Sequence, residues 1–121
     1  MTDRVTVEDA GGLLVVAPAG ELDAFTAPEL RSELHRLLED VSTTRLVVDL
    51  TAVTFLDSSA LGVLVGALRR LRERGGELHV VQPRPMVRRI FELTALDAIF
   101  TLHGARDEAL AAAREQSSRD A

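Results

Sequence analysis

The chain predicts a single α/β domain: a mixed β-sheet of four to five strands with four helices. Three observations carry that prediction. Segments of strand and helix character alternate along most of the chain, which requires parallel crossovers. The run Thr44-Arg45-Leu46-Val47-Val48-Asp49-Leu50 is short, β-branched and almost continuously apolar, the pattern of a strand covered on both faces. Gly11-Gly12 separates the alternating segment Arg4 to Glu8 from Leu13-Leu14-Val15-Val16-Ala17, so the chain opens with a hairpin and the sheet is mixed.

After the hairpin, Gly20-Glu21-Leu22-Asp23 closes the first unit. Thr26 and Glu29 have the spacing of a capping box, and Pro28 suits a first turn, where its missing N–H costs nothing. The helix that starts there places Leu30, Leu34, Leu37 and Leu38 on one face. The strand around Leu46 to Leu50 follows, and then Asp57-Ser58-Ser59 stands at the entry to a second amphipathic helix reaching Leu71. The cations of Arg69-Arg70-Leu71-Arg72-Glu73-Arg74 complement the negative end of that helix, and Gly75-Gly76 supplies a left-handed terminus. Glu77 to Val81 reads as the next strand. Pro83 and Pro85 precede a third helix whose Val87, Ile90, Phe91 and Leu93 face inward, Ala98 to Leu102 forms a short edge strand, and Asp107 to Glu115 forms a fourth helix.

Composition narrows the functional class. With 121 residues, 46% of them hydrophobic, the chain is long enough for one domain over 1–121, with its core over about 5–113 and a flexible polar tail over 116–121. The absence of cysteine excludes disulfides, thiolate metal sites and cysteine nucleophiles. No apolar run approaches the ~20 residues of a membrane helix, and Met1-Thr2-Asp3-Arg4 lacks a signal-peptide pattern. A cytoplasmic protein with no membrane contact is the expectation. A formal charge of −5, from 19 acidic against 14 basic residues, argues against nucleic-acid binding, which depends on neutralising phosphates.

Most chemistry is absent from the motifs. His35, His79 and His103 are too widely spaced for a local metal motif, so no metal is expected. Neither Gly20 nor Gly62 lies in a phosphate-binding glycine loop, so no nucleotide cofactor is expected. Ser58 or Ser59 as a hydrolytic nucleophile needs a base within reach and lies outside any G-x-S-x-G elbow. The structural reading of Asp57, Ser58 and Ser59 is helix capping, worth on the order of 1 kcal/mol. One cap suffices, however, and three candidates stand in succession, with Ala60 and Gly62 keeping the surrounding surface low.

Gly20-Glu21-Leu22-Asp23, Leu50 to Phe55 and Leu56-Asp57-Ser58-Ser59-Ala60-Leu61-Gly62-Val63-Leu64 together resemble the anti-sigma factor antagonists of the STAS superfamily. The resemblance continues through Arg74-Gly75-Gly76-Glu77-Leu78 and Val87 to Leu96, in collinear order over roughly residues 5 to 113. It implies a regulatory protein, not an enzyme, that binds an anti-sigma factor, itself an ATP-dependent serine kinase, and so frees a sigma factor. It also implies a serine phosphatase acting on the phosphorylated form. By position, Ser58 matches the phosphoacceptor, and Gly20, Glu21, Asp23, Asp57, Ser59 and Gly62 join it in the partner-binding surface. Many relatives have glycine where this chain has Ala60, a residue that adopts a positive φ far less readily. The alternative is a STAS subunit of a larger stress-signalling or lipid-transport assembly.

Overall fold

The predicted hairpin is present in a computed structural model, which describes residues 4–120, with side chains over 4–115. Strands β1 (Val5–Ala10) and β2 (Leu13–Pro18) pair antiparallel, and Gly11 and Gly12 turn between them at φ of 65° and 94°. After β3 (Gly20–Leu22) comes α1 (Ala27–Leu38), then β4 (Arg45–Asp49), β5 (Val53–Leu56), α2 (Ser58–Glu73), β6 (Glu77–Val81), α3 (Pro85–Leu93), a 3-10 turn at Leu96–Ala98, β7 (Thr101–His103) and α4 (Arg106–Asp120). The main sheet runs β1-β2-β4-β6-β7, with β2, β4, β6 and β7 parallel. The expected mixed sheet and four helices are therefore present.

Alternation along the central strands sends apolar side chains to both faces. Val16, Leu46, Val48, Leu78 and Val80 pack with α1, α2 and α3 through Leu30, Leu34, Leu64, Leu71, Val87 and Phe91. Leu13, Val15, Val47 and Val81 face the other way, onto Ala109 and Ala113 of α4. The small alanine face lets α4 lie close to the sheet.

Several local expectations are corrected. A separate two-stranded sheet forms where the sequence reading has only connecting chain: β3 pairs in parallel with β5, with an irregularity between Gly20 and Glu21. Thr26 does not form a capping box. Its backbone is already near-helical at φ −104°, ψ −25°, and its hydroxyl turns back to donate to the Glu21 carbonyl at 2.7 Å. Leu93 is 73% exposed, because two residues beyond the buried Phe91 a helix has rotated by about 200°. The fourth helix runs to Asp120, beyond the predicted end at Glu115; the expected flexible tail over 116–121 lies, in its side chains and at residue 121, outside the described residues.

The arginines at the end of α2 also serve a different helix. Arg74 donates to the carbonyls of Leu38 (2.9 Å), Asp40 (3.1 Å) and Thr43 (3.2 Å), and Arg70 donates to Leu38 at 3.2 Å. They satisfy carbonyls at and beyond the C-terminus of α1, which otherwise lack intrahelical partners. This ties α1 to α2 at their C-terminal ends.

Candidate functional site

The β3–β5 pairing brings together the two segments that the sequence singles out. Glu21 lies opposite Phe55 and Leu22 opposite Leu56, and the Asp57 N–H donates to the Leu22 carbonyl at 3.1 Å. Gly20, Glu21 and Asp23 thus stand beside Asp57 and Ser58 at one edge of the molecule. Gly20 is at φ +80°, where a side chain would be strained, and an added Cβ would lie 3.3 Å from Arg4 Nη1.

Only one of the three candidate caps is a cap. Asp57 has an extended backbone, and its Oδ1 accepts from the N–H groups of Ser59 (2.9 Å) and Ala60 (3.3 Å). Ser58 and Ser59 therefore occupy the first two helical positions, both exposed, and among the described residues neither hydroxyl makes a hydrogen bond. The helix N-terminus is not a set of vacant donors, because the Asp57 carboxylate already occupies two of them. Ala60 is helical and fully buried, so the position has no need of a positive φ or of glycine.

The adjoining turn is held with similar economy. Asp23 Oδ1 accepts from the N–H of Phe25 (2.9 Å) and of Thr26 (3.1 Å), while the Asp23 N–H donates to Thr26 Oγ1 at 2.9 Å. The Phe25 N–H lowers the Asp23 pKa most; desolvation opposes it, and Thr26 and Arg4 reinforce the lowering. This Asx turn presents Phe25, whose side chain is 93% exposed. The sequence reading misses Phe25; an aromatic between an Asp and a helix start is the signal that could have found it.

A groove of about 440 Å³ runs between α1 and α2 from this edge. Leu34, Leu38, Val63 and Ala67 supply its apolar surface, Arg31 and His35 its cationic or polar side, and Ser58, Ser59, Gly62 and Gly66 its α2 side. A Cβ at Gly62 or Gly66 would meet nothing within 4 Å, so the groove is open where these glycines lie. All seven predicted surface residues, Gly20, Glu21, Asp23, Asp57, Ser58, Ser59 and Gly62, fall on the β3–β5 edge or the start of α2.

The histidines divide. His35 lines the groove, but no hydrogen bond joins it to either serine among the described residues. His79 and His103, far apart in sequence, stack with ring centroids 5.2 Å apart and approach to 3.0 Å between Nδ1 and Nε2, and Glu77 meets the His79 Nε2 at 2.8 Å. Among the described residues no group of three or more His, Cys, Asp or Glu side chains is arranged to hold a metal ion, and no helix is long and apolar enough to cross a membrane.

Comparison with known proteins adds four findings. A family model described as the STAS domain matches residues 4–109. The chain is 38% identical to an anti-sigma-B factor antagonist of Listeria monocytogenes over 92 residues, covering 74% of this chain and 78% of the relative. It is 29% identical to an anti-sigma F factor antagonist of Paenibacillus polymyxa over 103 residues, covering 85% and 88%. Among solved structures, an anti-sigma factor antagonist from Mycobacterium paratuberculosis superposes with a TM-score of 0.84 at 40% identity, covering 91% of this chain and 92% of that one.

Proposed function

The chain belongs to the STAS domain family, and from that membership we propose that it is an anti-sigma factor antagonist switched off by phosphorylation of Ser58. On this reading it binds an anti-sigma factor that is also a serine kinase, releases the sigma factor that the kinase held, and acts in the cytoplasm. A serine phosphatase restores the active form.

The observation that carries the reading is the state of the Ser58 hydroxyl. It is exposed on the first turn of α2, free of intramolecular hydrogen bonds among the described residues, and flanked by a cap that does not depend on it. A kinase can reach such a hydroxyl, and its modification removes no interaction that the fold uses. A phosphoryl group adds about 1.5 to 2 negative charges. Placed at a close protein interface, beside the Asp57 carboxylate, that charge must be desolvated without a ready partner across the contact. Docking is lost while folding is kept.

A hydrolytic role for either serine receives no support, since no histidine lies in hydrogen-bond contact with them among the described residues. The test is incubation with the cognate anti-sigma factor and Mg-ATP, followed by mass spectrometry and binding measurements. Stoichiometric phosphate on Ser58, retained binding by Ser58→Ala and weak binding by Ser58→Asp are expected. Phosphate on another residue, or tight binding by Ser58→Asp, would overturn the reading.

A further inference from the structure

We propose that a phosphoryl group on Ser58 is clamped within the groove between α1 and α2 by the guanidinium of Arg31. The proposal rests on the phosphorylation reading above and extends it to where the modified serine places its charge.

The nearest natural receptor, the start of α2, is already partly occupied. A helix N-terminus ordinarily offers its free N–H groups to an anion. Here Asp57 Oδ1 already accepts from Ser59 and Ala60, so a phosphate on Ser58 would meet a carboxylate beside those donors. It must find its counter-charge elsewhere or remain wholly in water.

The groove supplies a counter-charge. Ser58 lines it from α2 and Arg31 lines it from α1. Both helices follow parallel crossovers on one side of the sheet and are tied at their C-terminal ends by Arg70 and Arg74, so they point the same way. Helical side chains lean toward their own N-terminus. Arg31 therefore leans toward the end of the groove that holds Ser58.

The two groove arginines differ in availability. Arg70 shares the groove but is bound to the Leu38 carbonyl. Arg31 has no hydrogen bond or ion pair among the described residues. Gly62, one turn along α2 from Ser58, leaves open space where any other residue would project a Cβ. A phosphoryl group can lie down over that glycine, where the planar fork of Arg31 can take two of its oxygens. His35, one turn further along α1, supplies a secondary donor.

The experiment uses the full chain with phosphoserine incorporated at position 58 during translation, so the clamp is read without any kinase. The phosphate's second ionisation is followed by 31P NMR in the parent sequence, Arg31→Gln and Arg31→Lys. A guanidinium favours the dianion, so the parent should titrate at a pH lower than Arg31→Gln by about half a unit or more. Arg31→Lys, which keeps the charge without the fork, should fall between them. Because Arg31 is exposed, both variants should fold, and their thermal melts verify that. Coincident midpoints in the parent and Arg31→Gln would overturn the clamp. A clamp found by NMR together with no phosphate transfer from the cognate kinase would instead overturn the phosphorylation reading alone.

Discussion

Arg106 Nε donates to the Asp49 carboxylate at 2.7 Å across 57 positions of chain, and its Nη1 reaches Glu8 at 2.9 Å. The pair joins the first residue of α4 to the last residue of the central strand β4, and β1 to both. Desolvation pushes the Asp49 carboxyl upward, but the Thr51 hydroxyl, the Arg106 guanidinium and the Thr51 N–H together outweigh it and hold it below its ordinary value.

That relationship has a pH signature. A carboxyl depressed in the folded state contributes stability that is complete above its unfolded pKa and is lost as pH falls through the folded one. Urea denaturation should show stability declining below about pH 4. Arg106→Leu should cost about 1.5–3 kcal/mol at neutral pH, since the buried carboxylate loses its charged donor. The same variant should show a shallower acid decline, because less of the depression remains. An unchanged acid limb in Arg106→Leu would count against the pair as its source.

His103 supplies a second titration of opposite chemical type. Desolvation lowers its pKa first and the neighbouring His79 ring lowers it further, while Glu108 partly offsets them. The unfolded chain then binds more protons just below the ordinary histidine pKa of 6.5, so stability rises with pH through that window and is lost on acidification. Urea midpoints should be lower at pH 5.5 than at pH 7.5 in the parent, and His103→Asn should reduce that difference whatever its effect on absolute stability.

What the sequence discloses of this fold depends on whether a signal is local. The central strands β4 and β6 are legible because burial on both faces makes Leu46-Val47-Val48 and Leu78-His79-Val80-Val81 nearly continuous. The β3–β5 pair is not, because three- and four-residue strands with exposed Glu21, Thr54 and Phe55 are too short to display a period. Residues Asp57, Ser58 and Ser59 are recognisable as a helix entry, but residue type cannot say which one caps; the extended backbone of Asp57 decides that. Arg74 reads as a complement to its own helix, whereas its three carbonyl partners lie on the chain leaving α1, a non-local fact. The pairing of His79 with His103 is hidden for the same reason.

The glycines of α2 and of the turn after it should respond in opposite directions. Gly66→Ala adds a methyl group that meets nothing and removes a helix-interior glycine, which should stabilise by about 0.5–1 kcal/mol and raise the thermal midpoint. A Cβ at Gly76 would fall 2.2 Å from the Thr44 carbonyl oxygen, which also accepts from the Glu77 N–H. Gly76→Ala should therefore destabilise by about 1–3 kcal/mol, as the strand β4–β6 register is forced apart. Calorimetry of the two variants checks both signs.

Phe25 separates binding from folding. Its ring is almost wholly exposed, yet its backbone is fixed by the Asp23 carboxylate, so little backbone freedom remains to be lost when a partner covers it. Aromatic anchors of this kind often dominate interface energetics. On the proposed function, Phe25→Ala should leave the thermal midpoint unchanged and weaken binding to the cognate anti-sigma factor by at least about tenfold, or 1.4 kcal/mol. Asp23→Ala should weaken binding as well, but through loosening of the turn, and adding it to Phe25→Ala should cost less than the sum of the two. Isothermal calorimetry on both single variants and the double variant tests this: full additivity would mean that the turn does not work by presenting the ring.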